Sequence, residues 1–550
     1  MEFSPAVRTS NIERMKGNLL DAVVIGGGIT GAGIARDAAM RGLSVGLLER
    51  EDFASGTSSK SARLVHGGLR YLEQYQFGLV LSACAERHTL YQLAPRLVRP
   101  LAVTFPVYRT SKKGLNTIRM GMWLYDLMAL FHTIRRHKMM GAKQVAAQVP
   151  ELSRQGLVGA ASYYDCLTDD ARLTLATIQS AHRCGALVAN HAEVCGMLKD
   201  EGRVAGVQVV DRIDGERFNV RARVTVNATG VWADQIRRMD DPGAETMIRV
   251  NRGSHLVLPR RKLQIRTVVA FSSVDGQRAM YVIPWGDTCI VGTTDVDHDL
   301  ELEQVYATAE EVEGMLDSVN AAFPEARLTL DDIISTFAGL RPLIAGKEEA
   351  AYQASRDHHI VESDAGLVSI AGGKLTTYRR MAQDLVDAVS KKLEKEFAVQ
   401  AGGCETRDCP LAETTFDLDR EIETLTQECT YLDRDVATHL AVAYGPASPG
   451  VLAFAQDEVD MRARLAPDLP YILAEVPYAI RHEMALTLND LLIRRTHVIH
   501  EADDQGSVCA PFVAATMARY LGWSEAEIER QVDDYRRQIA LSRAFQARRE

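Results

Sequence analysis

Residues 22–25, Ala-Val-Val-Ile, form an apolar run that stops at Gly26-x-Gly28-x-x-Gly31. Apolar positions then recur at helical spacing to about Arg41, and a second apolar run over 44–48 ends on Glu49. The pattern predicts strand, glycine turn, helix, strand and acid in that order, a complete βαβ unit for binding a dinucleotide. Each residue type has a physical task. Gly26 makes the tight turn, Gly28 lets the backbone approach a pyrophosphate, and Gly31 with Gly33 lets the helix lie close on the sheet. The helix N-terminus offers unpaired N–H groups to phosphate, and Glu49 is placed to accept hydrogen bonds from a ribose.

Two later stretches have the same strand-to-turn pattern. Residues 224–227 read as a buried strand closed by Ala228, Thr229 and Gly230, small enough to let the chain turn close to a bound dinucleotide. Residues 367–380, LVSIAGGKLTTYRR, read as a strand, a Gly372-Gly373 turn carrying Lys374 and Leu375, and a helix starting near Thr376. A positive helix end above such a turn favours a group that gains negative charge on reduction. A second and third approach to the cofactor point to FAD and not NAD. The expected fold is α/β: a two-dinucleotide-binding, Rossmann-like FAD domain, a mixed-sheet substrate domain and a C-terminal helical domain.

Composition narrows this reading without redirecting it. At 550 residues the chain needs two or three domains. A net charge of −10 gives no reason to expect nucleic acid. The nine cysteines are scattered with no zinc spacing, which predicts no metal site and suits a reducing cytoplasm. Residues 1–19 lack an apolar stretch of signal-peptide length and are expected to be a loose extension. Residues 109–138 depart from the acidic balance, with seven Lys/Arg against the single acid Asp126 around a middle rich in Met, Trp, Leu and Phe. That pattern fits either an internal helix with solvated ends or a helix lying in a membrane interface.

Residues 57–73, TSSKSARLVHGGLRYLE, concentrate Thr57, Ser58, Ser59, His66, Gly67 and Gly68 in a loop suited to a ligand, followed by Arg70 and Tyr71. With this loop the chain resembles the FAD-dependent, aerobic-type glycerol-3-phosphate dehydrogenases of the D-amino-acid-oxidase-like flavoprotein superfamily. The resemblance rests on HGGLRYLE, the GSH at 253–255, IPW…VGTTD at 283–295, GLRPL at 339–343, SRDH at 355–358 and GGKLTTYR at 372–379. LTLNDLLIRRTHV at 486–498 looks like part of the family's helical cap. Arg63 stands where the family often has lysine.

The resemblance implies oxidation of sn-glycerol 3-phosphate at C2 to dihydroxyacetone phosphate. Hydride passes to flavin N5 and electrons go on to membrane quinone, with the protein bound peripherally to the inner face of the cytoplasmic membrane. It also implies that Arg70, Arg341, Arg356 and Lys374 meet the substrate, with Tyr71 beside them either to hydrogen-bond it or to pack. Arginine forks and a lysine point charge are the cations a phosphate monoester needs to leave water. A base is wanted for the hydroxyl proton. His255 is preferred over His66, which lies in the loop facing FAD. The expected division is an FAD domain over 20–78, 155–235 and 335–400, a substrate or cap domain over 79–154 and 236–334, and a helical domain over 401–550. Two alternatives stay open: an amine or 2-hydroxy-acid oxidoreductase of the same superfamily, and a non-catalytic flavin redox sensor. The motifs leave the oligomeric state open, a homodimer included.

Overall fold

Strand Leu19–Ile25 buries Leu20 and every side chain from Ala22 to Ile25 because it runs through the middle of a parallel sheet covered on both faces. The computed structural model describes residues 2–72, 75–129, 134–345, 358–411 and 417–549, with the side chains of Arg70, Arg548 and Arg549 outside the description. Spatial order in this first sheet is 358–362, 368–372, 217–227, 19–25, 45–48, 187–189. Its strands are parallel except for His358–Glu362, and an antiparallel hairpin, Ala192–Asp200 with Arg203–Asp211, is attached to the strand Arg217–Asn227. Helices Ile29–Met40, Asp170–Arg183 and Tyr378–Phe397 supply Ala35, Ile178 and Leu385 to one core with Val24 and Leu47. This is the Rossmann-like half of an α/β fold.

A second, mixed sheet lies beside it, with the long strand Ile248–Pro259 between Ser335–Ile344 on one side and Thr288–Gly292 on the other. Leu157–Thr168 belongs to this sheet, paired with Val98–Tyr108. The strands at 157–168 and 335–344, placed in the FAD segments from sequence, therefore belong to the second sheet. Their length explains it, since they continue a meander whose partners lie at 98–108 and 248–259. From residue 417 on the chain is helical around its own apolar core, which includes Leu440, Ile480, Leu491, Val513 and Tyr535.

A further expectation changes. Residues 5–17 are not loose: Ser4 caps a helix, Pro5–Gly17, that packs on the sheet through Ile12 and Met15, with Arg8 forming a buried ion pair to Asp211 at 2.8 Å. Serine followed by proline at the first helical position was the available signal. In the C-terminal region the helix Glu475–Glu483 ends at Met484 (φ +52°), before a wide turn over Asp490–Arg495. No helix among the described residues is long and apolar enough to cross a membrane.

Candidate active site

A cavity of about 830 Å³ runs between the two sheets and is lined by residues from all three glycine turns. At one end Gly26 (φ +109°) turns so tightly under the 228 turn that an added Cβ would lie 2.7 Å from Ala228 O. A Cβ on Gly31 would lie 1.9 Å from Gly26 O, so only glycine lets this helix start so close to the sheet. Gly31 itself is not in the cavity wall. Gly28 caps the helix Ile29–Met40, and Ser58 Oγ accepts from Ile29 N at 2.9 Å. Glu49 closes the turn, accepting from Gly27 N at 2.6 Å and Glu51 N at 2.9 Å, and burial raises its pKa.

Beyond Glu49, Glu303 reaches over from the second sheet's domain to accept from Arg50 at 3.1 Å and from the Trp232 indole at 3.2 Å. Arg50 lies 4.5 Å from the Trp232 ring. Nothing local in sequence marks this clasp, because its members are 71 to 253 residues apart.

At the other end, Gly372 (φ +79°) and Gly373 (φ +82°) turn consecutively through the left-handed region, and a Cβ on Gly373 would meet Met381 Sδ at 2.3 Å. Lys374 follows, with Nζ 3.6 Å from the Tyr71 ring centroid. Leu375 and Thr376 begin a short 3-10 turn that leads into the helix Tyr378–Phe397. Thr376 Oγ1 accepts from His66 N at 3.2 Å, tying this turn to the 57–73 loop. In that loop Thr57, Ser58, Ser59, His66, Gly68 and Tyr71 line the cavity. Gly67 does not. A Cβ there would sit 2.0 Å from the Tyr125 hydroxyl, and its N–H goes to Asp165 at 3.0 Å, so its backbone packs closely beneath the loop. Arg356 lies outside the described residues.

The opposite wall comes from two antiparallel strands whose register sets His255 across from Phe337 and Asn251 across from Arg341. His255 stacks on Phe337 (centroids 4.6 Å apart, planes at 13°) and is buried, with no hydrogen-bond partner for either ring nitrogen among the described residues. Burial, then the charges of Arg341 and Arg63, lower its pKa to about 3. Arg341 donates to Asn251 Oδ1 at 2.7 Å, Thr294 O at 3.2 Å and Thr293 Oγ1 at 3.0 Å, with Asp295 at 3.6 Å. A Cβ on Gly253 would lie 2.1 Å from Arg341 Nη2, so this glycine makes room for the guanidinium. Asn251 and Phe337 were not singled out from sequence, and Gly253 and Thr293 stood within the GSH and VGTTD motifs with no role of their own.

A buried cluster joins the C-terminal region to this wall. Arg63 lies 4.0 Å from the Trp285 ring and 3.3 Å from His497 Nδ1. Asp52 receives both Arg494 (2.6 Å) and Arg495 (2.7 Å), while Asp490 holds His191 at 3.0 Å. Asp52, His191 and Asp490 are close enough to share a cation, and the two guanidiniums already supply that charge.

The model of an FAD-dependent oxidoreductase domain matches residues 21–379, and that of the C-terminal domain of alpha-glycerophosphate oxidase matches 404–528. The chain is 38% identical to a glycerol-3-phosphate dehydrogenase of Mycobacterium leprae, over 99% of this chain and 92% of that protein. The chain belongs to the FAD-dependent glycerol-3-phosphate dehydrogenase family. An aerobic glycerol-3-phosphate dehydrogenase of Staphylococcus aureus is 35% identical over 97% of each chain. The crystal structure of the glycerol-3-phosphate dehydrogenase from Bacillus halodurans, complexed with FAD, superposes with a TM-score of 0.81 at 31% identity, covering 98% of both chains. The family's cofactor fits what the cavity offers: backbone approaches that no Cβ permits, a helix N-terminus, an acid at the strand end and paired left-handed glycines. The protein is an FAD-binding oxidoreductase.

Proposed function

We propose that the protein oxidises sn-glycerol 3-phosphate to dihydroxyacetone phosphate and delivers the electrons to membrane quinone. One observation carries the substrate assignment. Arg341, which donates to Asn251 Oδ1 and Thr293 Oγ1 and pairs with Asp295 at 3.6 Å, lines the same cavity as Lys374 and His255. A guanidinium fork and an ammonium in one cavity are the cations that suit a phosphate monoester.

Bound FAD supplies the two-electron acceptor for the hydrogen at C2. The chain's residues do the rest. Arg341 and Lys374 neutralise the phosphate and fix the ester in the cavity, Tyr71 places the Lys374 head, and Arg70 and Arg356 are assigned to the same anion from their motif positions. His255 takes the C2 hydroxyl proton on a ring nitrogen as hydride departs. Its stacked ring and the closeness of Gly292, where a Cβ would lie 2.4 Å from His255 Cδ2, fix the direction of that lone pair. The phosphate dianion offsets the repulsion from Arg341 and raises the basicity of the imidazole when substrate is present.

Delivery to quinone is supported by the helix Leu115–Met128. It buries Met122, Tyr125 and Asp126, and presents Met120 (74% exposed), Trp123 (53%), Leu124 (41%) and Leu127 (56%) on one outward face. Arg109, Lys112, Lys113, Arg119, Arg135, Arg136 and Lys138 surround that face in sequence. An apolar face with basic flanks fits the interface of an anionic bilayer, which makes the protein peripheral to the inner face of the cytoplasmic membrane.

Anaerobic titration tests the substrate. Glycerol 3-phosphate should bleach the flavin of the purified protein, with glycerol and 2-hydroxy acids at least about 100-fold less effective. Bleaching by a 2-hydroxy acid or an amino acid instead would move the protein to another branch of the superfamily.

A further inference from the structure

The cavity contains a cation that the chemistry above does not use. Lys60 follows the turn Thr57–Ser59 and lines the cavity beside Arg494 and His500. Thr57 Oγ1 donates to Leu340 O at 2.6 Å, and a Cβ on Gly339 would lie 2.3 Å from Lys60 O and 3.1 Å from its Cβ. The turn is therefore pressed along the strand Ser335–Ile344, two residues from Arg341. On its other side Ser58 touches the N-terminus of the helix Ile29–Met40. Lys60 stands between the helix end suited to a pyrophosphate and the strand that carries Arg341.

Its ammonium has no hydrogen-bond or ion-pair partner among the described residues. The charged neighbour it feels is cationic: Arg494, already held by Asp52 and Asp490. Burial and that guanidinium lower the Lys60 pKa to about 8. A cation drawn from water without a counter-charge is costly, and folds rarely keep one unless something else supplies the anion. The occupant of the cavity can do so.

We propose that Lys60 is a phosphate-binding cation of this cavity, taking an oxygen of either the cofactor's pyrophosphate or the substrate's phosphate monoester. The proposal rests on the reading of the cavity given above and adds a residue to it. Arginine at this position keeps the charge and the reach; methionine keeps the stem and removes the charge.

Lys60→Met and Lys60→Arg test it in the full-length protein. If the pyrophosphate is the partner, FAD binds stripped Lys60→Met about 10-fold or more weakly, with KM for glycerol 3-phosphate unchanged at saturating FAD. If the substrate phosphate is the partner, KM for glycerol 3-phosphate and the inhibition constant of inorganic phosphate rise by that factor, with FAD affinity unchanged. Lys60→Arg recovers most of either loss. The FAD-free Lys60→Met protein should melt at or above the wild-type temperature. A lower melting temperature would assign the lysine to the fold and overturn the proposal. So would both constants staying within about twofold, given a wild type that binds FAD and turns over. A wild type whose flavin glycerol 3-phosphate cannot reduce would instead overturn the proposed reaction, leaving the FAD arm to judge Lys60.

Discussion

The Lys374 ammonium lies 3.6 Å from the centroid of the Tyr71 ring, so the two motifs HGGLRY and GGKLTTYR meet through a cation–π contact although 303 residues separate them. The ring face holds the charge. Tyr71→Phe should therefore keep most of the activity. Tyr71→Ala should raise KM for glycerol 3-phosphate by about 2- to 30-fold, the range for a contact of ~0.5–2 kcal/mol. Equal losses in both variants would give the role to the hydroxyl.

Arg341→Lys retains charge and removes the planar fork. kcat/KM for glycerol 3-phosphate should fall about 10- to 150-fold, the worth of a charge-assisted hydrogen bond of ~1.5–3 kcal/mol, with little further loss on glycerol. Gly253→Ala should resemble it without touching any charge, because the new methyl would occupy the space of Arg341 Nη2. Flavin absorbance and thermal melting serve as controls for folding in both.

His255 sets a pH dependence whose sign follows from its lowered pKa. The free enzyme keeps the imidazole neutral, and so able to accept a proton, down to a pH of about 3. No acid limb of kcat/KM near 6.5 should belong to His255, and any limb near pH 6 should follow the substrate's own phosphate. His255→Asn should lower kcat by about 10²- to 10⁴-fold and leave that limb in place. Stability moves with pH as well. Between about 6.5 and 3 the unfolded histidine binds a proton and the folded one does not, so this group lowers stability as pH falls through that window. The stability of wild type relative to His255→Asn, read from urea midpoints, should decrease from pH 8 to pH 5.

Replacing Met120, Trp123, Leu124 and Leu127 together with serine should shift the protein from the membrane fraction to the supernatant. Activity with a soluble dye should survive while activity with membrane quinone falls. Neutralising the basic flanks should act in the same direction, at about 1 kcal/mol per residue near an anionic surface. Unchanged sedimentation with liposomes in both variants would make the helix Leu115–Met128 an ordinary surface element.

The parts of the site legible in the sequence were those whose geometry is local. Gly26, Gly28 and Gly31 act within one turn, and Gly372, Gly373 and Lys374 within another, so spacing alone described them. Arg341 was found through its motif, but its setting was not: Asn251 and Gly253 come from a neighbouring strand, and Thr293 from a loop 48 residues away. Register across a sheet leaves no mark on either strand by itself. The domain division suffered similarly, since long strands at 157–168 and 335–344 look alike whichever sheet they join. Gly67 was marked by its residue type alone, and the space its missing Cβ leaves is taken by the Tyr125 hydroxyl beneath the loop.

The buried pairing of Asp52 with Arg494 and Arg495, together with Arg172 on Glu483, means that the chain cannot be divided where its family models divide it. A fragment ending near residue 400 would retain Asp52 and Arg172 without their partners, at a cost of several kcal/mol for each stranded charge. Phe3 makes the dependence mutual: its N–H donates to Arg481 O and its carbonyl accepts from Met484 N, so the first residues are stitched to the last domain. The apparent modules are therefore one inheritance unit, and a chimaera exchanging the helical region between relatives would carry over its activity only if the Asp52, Arg172 and Phe3 contacts travelled with it.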